Sequence, residues 1–83
     1  MAVNYARLRN LTAREIISAL IRDGFVFDRG SGSHQIYYHP DGRRVSVTFH
    51  APGDTFKRKT LRSMIEDDAQ WTEADLKRLK LIR

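Results

Sequence analysis

The chain has 83 residues, a length that allows one domain with a modest hydrophobic core. It contains no cysteine, which excludes a disulfide framework and a thiolate zinc site. Fifteen lysines and arginines against ten aspartates and glutamates give a net charge of +5, a balance that favours a polyanionic partner. We find no apolar run long enough to span a membrane and no signal-peptide core, and we therefore expect a cytoplasmic protein.

The first predicted helix begins after Thr12 and ends before Gly24. Thr12 and Glu15 have the spacing of a capping box, in which two otherwise unpaired backbone N–H groups are satisfied by side chains. Glycine just after the last periodic residue is typical of a left-handed helix cap. The apolar residues in between recur every three or four positions and predict one buried stripe, made by Ile16, Ile17, Leu20 and Ile21.

Three strands are predicted next, the first over residues 25–29 and the other two as a hairpin. An Asp41-Gly42 pair is typical of a two-residue hairpin turn, and that turn pairs His34 with Phe49. Because side chains alternate along a strand, this register predicts that His34 lies at the open end of an apolar sheet face. The residues predicted to share that face are Ile36, Tyr38, Val45, Val47 and Phe49.

The opposite face of the hairpin is predicted to carry Tyr37, for which two interpretations stand. Its ring can stack an RNA base, as aromatic residues of single-stranded RNA binders do. It can equally form an ordinary cross-strand contact with Ser46. Arg43 and Arg44, beside the turn, extend the positive surface.

Two helices are predicted after the sheet. One is expected over residues 55–69, with an inner side made by Phe56, Thr60, Leu61, Met64 and Ile65. The other is capped by Thr72 and Asp75, and its buried residues are predicted to be Leu76, Leu79 and Ile82. The order of helix, three antiparallel strands and two helices predicts an α+β fold, in which helices cover one face of the sheet.

The charges of the second predicted helix run against its macrodipole. It opens with Lys57, Arg58 and Lys59 and closes with the acidic run 66–68, whereas the dipole favours the reverse order. Local inconsistencies of this kind concentrate at functional sites. Either a phosphate from a partner binds near the helix start, or solvent screens the exposed charges.

The three histidines are the candidates for chemistry. An imidazole transfers protons near neutral pH, so His34 is a candidate acid/base for cleaving a phosphodiester, and His50 is its natural partner. Both also fit structural roles, His34 as a strand-end residue and His50 as a loop residue. His39 is expected to point to solvent. The histidines lack the spacing of known metal motifs, so we expect no metal site.

Several short runs of residues occur in a consistent order and spacing along most of the chain. They are residues 11–20, Gly24-Phe25, Arg29, Gly32-Ser33-His34, the Tyr-x-His-Pro-Asp-Gly-Arg hairpin, Val45-x-Val47, His50 and residues 60–65. Gly-Ser-His alone is a weak motif, whereas the whole array is specific. Over about residues 8–69 the chain resembles the HicA-type toxin family. The family often has proline at the exit of the third strand, where this chain has Thr48.

The resemblance implies a fold like the double-stranded RNA-binding domain and a small ribonuclease that cleaves mRNA. The catalytic residue of the family is the histidine of Gly-Ser-His, which is His34 here. The resemblance also implies a HicB-type antitoxin that covers the active face and masks this histidine. We expect no cofactor, and one domain over residues 1–83 in which residues 70–83 form a C-terminal helical extension.

We expect basic and polar residues around the histidine to hold the RNA backbone. They are Arg29, Ser33, Arg43, Arg44, Lys57, Arg58, Lys59 and Arg62. Two other interpretations use the same surface without catalysis. One is an RNA-binding module of the same fold in which His34 is structural, and the other is a protein-interaction module with an acidic partner.

Overall fold

The computed structural model describes residue 8 and residues 11–82, so residues 1–7, 9, 10 and 83 of the expected domain lie outside the described residues. Its elements are α1 (Ala13–Arg22), β1 (Val26–Ser31), β2 (His34–Tyr38), β3 (Arg44–Thr48), α2 (Arg58–Arg62) with a π-helical continuation (Ser63–Asp68), and α3 (Glu73–Arg78). The strands form one antiparallel sheet in the order β1-β2-β3. The predicted α+β architecture is therefore confirmed.

Both predicted capping boxes are present. In α1 the backbone N–H of Thr12 donates to the Glu15 carboxylate at 2.9 Å, and the N–H of Glu15 donates to the Thr12 hydroxyl at 3.2 Å. Thr72 and Asp75 make the same pair of bonds at the start of α3. Gly24 follows α1 with φ +102°, a conformation that favours glycine because any Cβ would be strained there.

The predicted register of the β2–β3 hairpin is wrong by one residue. His34 pairs with Thr48 and Tyr37 pairs with Val45, because the turn contains three residues, Pro40 to Gly42, instead of two. Proline at the second position and glycine at the fourth suit a type I turn, and Gly42 with φ +102° then completes the bulged loop. A shift of one residue moves every side chain of a strand to the other face of the sheet.

The helices cover the face of the sheet that carries Tyr37, Val45 and Val47, which are 4%, 1% and 0% exposed. We call this the inner face. The opposite, outer face carries the residues that alternate with them: Val26, Arg29, Ser31, His34, Ile36, Tyr38, Arg44, Ser46 and Thr48. No segment among residues 11–82 covers the outer face, and its side chains are mostly exposed.

The helix α2 begins three residues later than predicted, because the preceding loop is tied to the start of α1. The N–H groups of Ala13 and Arg14 donate to the carbonyls of Asp54 and Pro52 at 2.8 and 3.0 Å. Thr60 is exposed and does not belong to the inner side as predicted. The predicted core positions Leu61, Met64, Ile65, Leu76, Leu79 and Ile82 are buried.

One carboxylate connects the end of α1 to the hairpin turn and to α3. Asp23 accepts hydrogen bonds from Trp71 Nε1 at 2.9 Å and from an Arg78 nitrogen at 2.8 Å. An Arg43 nitrogen lies 3.2 Å from Asp23 Oδ2, the oxygen that also accepts the bond from Trp71. The Asp23 side chain is only 9% exposed. Among residues 11–82, no helix is long and apolar enough to cross a membrane.

We expect Asp23→Asn to lower the free energy of unfolding at pH 7 by about 2 kcal/mol, because Arg43 and Arg78 lose their charged partner. Burial by itself raises the pKa of Asp23, but the bonds from Trp71 and Arg78 and the nearby arginine charges outweigh it, so the pKa lies below its ordinary value. A carboxylate with a depressed pKa stabilises the fold above about pH 4, and this stability is lost as the pH falls through the folded pKa.

Urea unfolding followed by Trp71 fluorescence at several pH values between 3 and 7 measures both effects. The variant should lose less stability than the wild type on acidification. Asp28→Asn is the matched control, since the Asp28 side chain is exposed and lies 3.8 Å from an exposed arginine. If Asp23→Asn and Asp28→Asn lowered the free energy of unfolding equally, the proposed stabilising role of Asp23 would be contradicted.

Candidate active site

His34 is the first residue of β2 and lies on the outer face, between Ser31 of β1 and Thr48 of β3. The sequence correctly located it at the open end of the hairpin but assigned it to the wrong face. The side chain is exposed, so a macromolecular substrate can reach it without any rearrangement of the helices.

The turn before His34 fixes the position of the histidine at the start of the central strand. Gly32 has φ +59° and Ser33 does not have a positive φ, which is the pattern of a tight turn with glycine at its first central position. The Ser33 carbonyl accepts a hydrogen bond from the N–H of Phe49 at 3.0 Å. The turn is therefore joined to the exit of β3 as well as to β1.

The imidazole of His34 is oriented by Thr48. His34 Nδ1 lies 3.1 Å from Thr48 Oγ1, and no other group among residues 11–82 bonds the ring. Nε2 therefore has no hydrogen-bond partner among these residues, and His34 as a whole is exposed. When Nδ1–H donates to the hydroxyl, Nε2 has a free lone pair, which is the form that accepts a proton. Sequence reasoning missed Thr48 because the predicted register paired His34 with Phe49.

A hollow of about 240 Å³ lies beside His34. Arg29 and His34 both line it, together with Gly30, Ser31 and Ile36. The Arg29 side chain is 69% exposed and lies 3.8 Å from Asp28. A cation and an acid/base group at one hollow suit an anionic group whose charge changes during reaction.

A groove of about 620 Å³ lies on the other side of the molecule, between α1 and the exit of β3. Its lining is mainly apolar and includes Ile17, Ile21 and Phe49, with Arg14 and Arg22 at its borders. It contains no histidine. We assign the candidate active site to the smaller hollow, because only that one of the two is lined by both a histidine and an arginine.

Arg43 was expected to hold RNA, but the structure gives it internal partners instead. Its guanidinium lies 2.8 Å from Asp41 Oδ2 and 3.2 Å from Asp23, donates to the Ala69 carbonyl at 2.6 Å, and lies 4.9 Å from the centre of the Phe25 ring. Only 18% of the side chain is exposed. Its role is to anchor the hairpin turn, and we leave it out of the candidate site.

The prediction that His39 points to solvent is wrong. Its Nε2 lies 3.0 Å from the Asp23 carbonyl, its Nδ1 accepts the N–H of Asp41 at 3.1 Å, and its ring packs edge-on against Phe25. The tautomer with hydrogen on Nε2 satisfies both backbone groups. His39 therefore belongs to the same anchoring network as Arg43.

The prediction that Tyr37 lies on the outer face is also wrong, because the register of the hairpin is shifted by one residue and Tyr37 pairs with Val45 instead of Ser46. Tyr37 is 4% exposed, its hydroxyl donates to Gln35 Oε1 at 2.8 Å, and burial raises the pKa of the phenol. It packs edge-on against Phe27. A base cannot stack on it, and the aromatic residue that the outer face does present is Tyr38.

His50 is exposed, and its backbone N–H donates to Asp54 Oδ2 at 2.8 Å. Within residues 11–82, no hydrogen bond joins the side chains of His34 and His50. Over the same residues, no group of three histidine, cysteine, aspartate or glutamate side chains is arranged to hold a metal ion. Of the arginines and lysines predicted to bind RNA, Arg29 lines the same hollow as His34, and Thr48, which was not predicted, contacts the imidazole.

The remaining basic candidates lie in two places. Arg44 is opposite Tyr38 on the outer face, at the far end of β2 from His34. The run 57–59 and Arg62 are exposed on α2, and Arg62 pairs with Glu66 at 3.3 Å. The run 57–59 follows β3, which ends beside His34, after the loop that precedes α2.

A family model described as "HicA toxin of bacterial toxin-antitoxin" matches residues 13–70, which is more than half of the chain. The match covers α1, the sheet, α2 and its π-helical continuation. No curated protein matches the chain. The family predicted from the matching runs over about residues 8–69 is confirmed, and the chain belongs to the HicA toxins of bacterial toxin–antitoxin systems.

Proposed function

We propose that this HicA toxin is an endoribonuclease that cleaves mRNA with His34 as its general acid/base and without a metal ion. HicA toxins are generally ribonucleases, and that family assignment supplies the reaction class. The observation that carries the residue assignment is the exposed imidazole of His34, held through Nδ1 by Thr48 and placed beside Arg29.

In the proposed reaction, His34 Nε2 takes the proton of a ribose 2′-hydroxyl, and the 2′-oxygen attacks the adjacent phosphorus. The bond from phosphorus to the 5′-oxygen of the next nucleotide breaks, and that oxygen takes up the proton from the imidazolium. The products are a 2′,3′-cyclic phosphate and a 5′-hydroxyl. The Arg29 guanidinium, at the same hollow, stabilises the negative charge that develops on the phosphoryl oxygens.

The RNA backbone is held by the exposed cations around this reaction centre. Arg29 and Arg44 lie on the outer face, and Lys57, Arg58, Lys59 and Arg62 extend the positive surface beyond the His34 end of the sheet. Ser33 lies in the turn next to His34 and adds a hydroxyl. Phosphate contacts of this kind carry affinity and little sequence information.

As a toxin of a toxin–antitoxin pair, the protein has an antitoxin partner. We propose a HicB-like antitoxin that covers the outer face and masks His34, and we propose that the pair acts in the cytoplasm. The outer face is uncovered by any segment among residues 11–82, and this leaves His34 open to such a partner. An inactive RNA-binding module is the alternative, because the His34–Thr48 bond also suits a structural histidine.

We expect His34→Ala to lower the rate of RNA cleavage by at least ~100-fold in the presence of a chelator, because the proton acceptor is lost. Cleavage is followed on a labelled mRNA segment, folding by circular dichroism, and binding with a 2′-O-methyl oligonucleotide that cannot be cut. His50→Ala should retain cleavage, since His50 makes no hydrogen bond with the His34 side chain. Unchanged cleavage by His34→Ala would contradict the proposed mechanism, and binding without any cleavage by the wild type would favour the inactive RNA-binding module.

We expect Thr48→Val to lower kcat by roughly 10- to 100-fold with little change in KM, because the imidazole loses the hydroxyl that orients it. Thr48→Ser keeps an oxygen at the same position and should restore most of the rate. A purely structural role for Thr48 predicts instead that the serine variant is impaired in proportion to its stability, which thermal unfolding measures separately.

We expect Lys59→Gln to reduce the salt dependence of RNA binding. Removing one phosphate contact should lower the slope of log K against log salt by about 0.7 for a single strand. Lys77→Gln, on the exposed side of α3, is the control with the same change of charge. If both variants alter the slope equally, then binding reflects net charge and not the proposed surface.

A further inference from the structure

We propose that the outer face of the sheet is a binding track for single-stranded RNA and that Tyr38 is its base-stacking residue. The proposal rests on the proposed function, since it names the surface that brings a substrate to His34. It assigns a role to a set of exposed apolar side chains that the cleavage mechanism does not use.

The outer face, which no segment among residues 11–82 covers, carries three neighbouring apolar side chains. Val26 is 57% exposed and Tyr38 is 39% exposed, and the two lie opposite each other in the β1–β2 pair. Ile36, half-buried, continues the apolar strip toward His34. The solvent-facing side of an antiparallel sheet is normally polar, and exposed apolar strips mark interaction sites.

Cations flank this apolar strip on both edges of the sheet. Arg44 of β3 lies opposite Tyr38, and Arg29 of β1 lies opposite Ile36. The acidic side chain next to them is Asp28, 3.8 Å from Arg29, at the bulge of β1. A strip that offers aromatic and aliphatic surface between arginines complements a ligand with flat bases and a charged backbone, and this combination is typical of single-stranded nucleic acid.

The geometry connects the strip to the reaction centre. Tyr38 and His34 lie on the same face of the same strand, four residues apart, which is about 13 Å along the sheet. A strand of RNA whose base stacks on Tyr38 therefore passes over Ile36 and reaches the hollow beside His34 and Arg29 within a few nucleotides. Beyond His34, the backbone leaves the sheet toward the exposed run 57–59.

The same geometry selects a single strand over a duplex. In an A-form duplex the bases are stacked on one another and their faces are closed to a protein side chain. A flat sheet also cannot enter the deep and narrow major groove. Stacking on Tyr38 requires a base that is free of its neighbours, so the track accepts unpaired regions of RNA.

The test compares binding of one fluorescent 2′-O-methyl oligonucleotide as a single strand and annealed to its complement. We expect tighter binding of the single strand. Tyr38→Ala should weaken that binding at least about fivefold, and Tyr38→Phe should retain it because the ring is kept. Ile21→Ala is the matched control, since Ile21 is 56% exposed but lies on α1, on the opposite side of the sheet.

NMR chemical shifts locate the bound strand, and we expect changes at Val26, Ile36 and Tyr38 when the oligonucleotide is added. Preferred binding of the duplex, equal affinities of wild type and Tyr38→Ala, or equal losses in Tyr38→Ala and Ile21→Ala would overturn the proposal. So would changes at these residues that follow protein concentration or antitoxin addition but not RNA. The oligonucleotide is not cleaved, so this result is independent of whether His34 is catalytic.

Discussion

Asp23 joins three parts of the chain that are distant in sequence: the end of α1, the turn between β2 and β3, and the segment formed by Trp71 and α3. Its carboxylate meets Trp71, Arg78 and Arg43, and Arg43 in turn reaches Asp41 and the Ala69 carbonyl. Buried charges are tolerated only when they are paired and hydrogen-bonded, and this network satisfies that condition. It holds the helices against the inner face, and the packing of that face decides which side of the sheet remains open.

The anchoring network and the candidate active site lie at opposite ends of the sheet. Asp23, His39 and Arg43 gather at the closed end of the hairpin, whereas His34 and Thr48 lie at its open end. The residues near His34 are exposed, but the strands that carry them, β2 and β3, are anchored at the closed end of the hairpin. The separation also means that substitutions at the reaction centre need not disturb the main stabilising contacts.

The outer face combines three properties that are separate in the sequence: an oriented imidazole, two arginines and an exposed aromatic ring. The imidazole and Arg29 share a hollow, and Tyr38 lies four residues farther along the same strand and face. In the proposed reaction, proton transfer, charge stabilisation and substrate positioning would then occur along one line of side chains. A HicB-like antitoxin that covered this face would block all three together, which would give a toxin a simple form of control.

The sequence by itself determined most of the elements and the family, and it supplied His34 as the candidate catalytic residue. Helix caps, apolar stripes and the runs that match the family, such as Gly32-Ser33-His34, each depend on residues close together along the chain. Only the tertiary structure decided which face His34 occupies and that Thr48 orients it. Those outcomes depend on a turn of three residues instead of two, because a shift of the register by one residue moves every side chain of a strand to the other face of the sheet. Likewise the internal roles of Arg43 and His39 arise from contacts with Asp23, which lies about 20 residues away in sequence, beyond the reach of any local pattern.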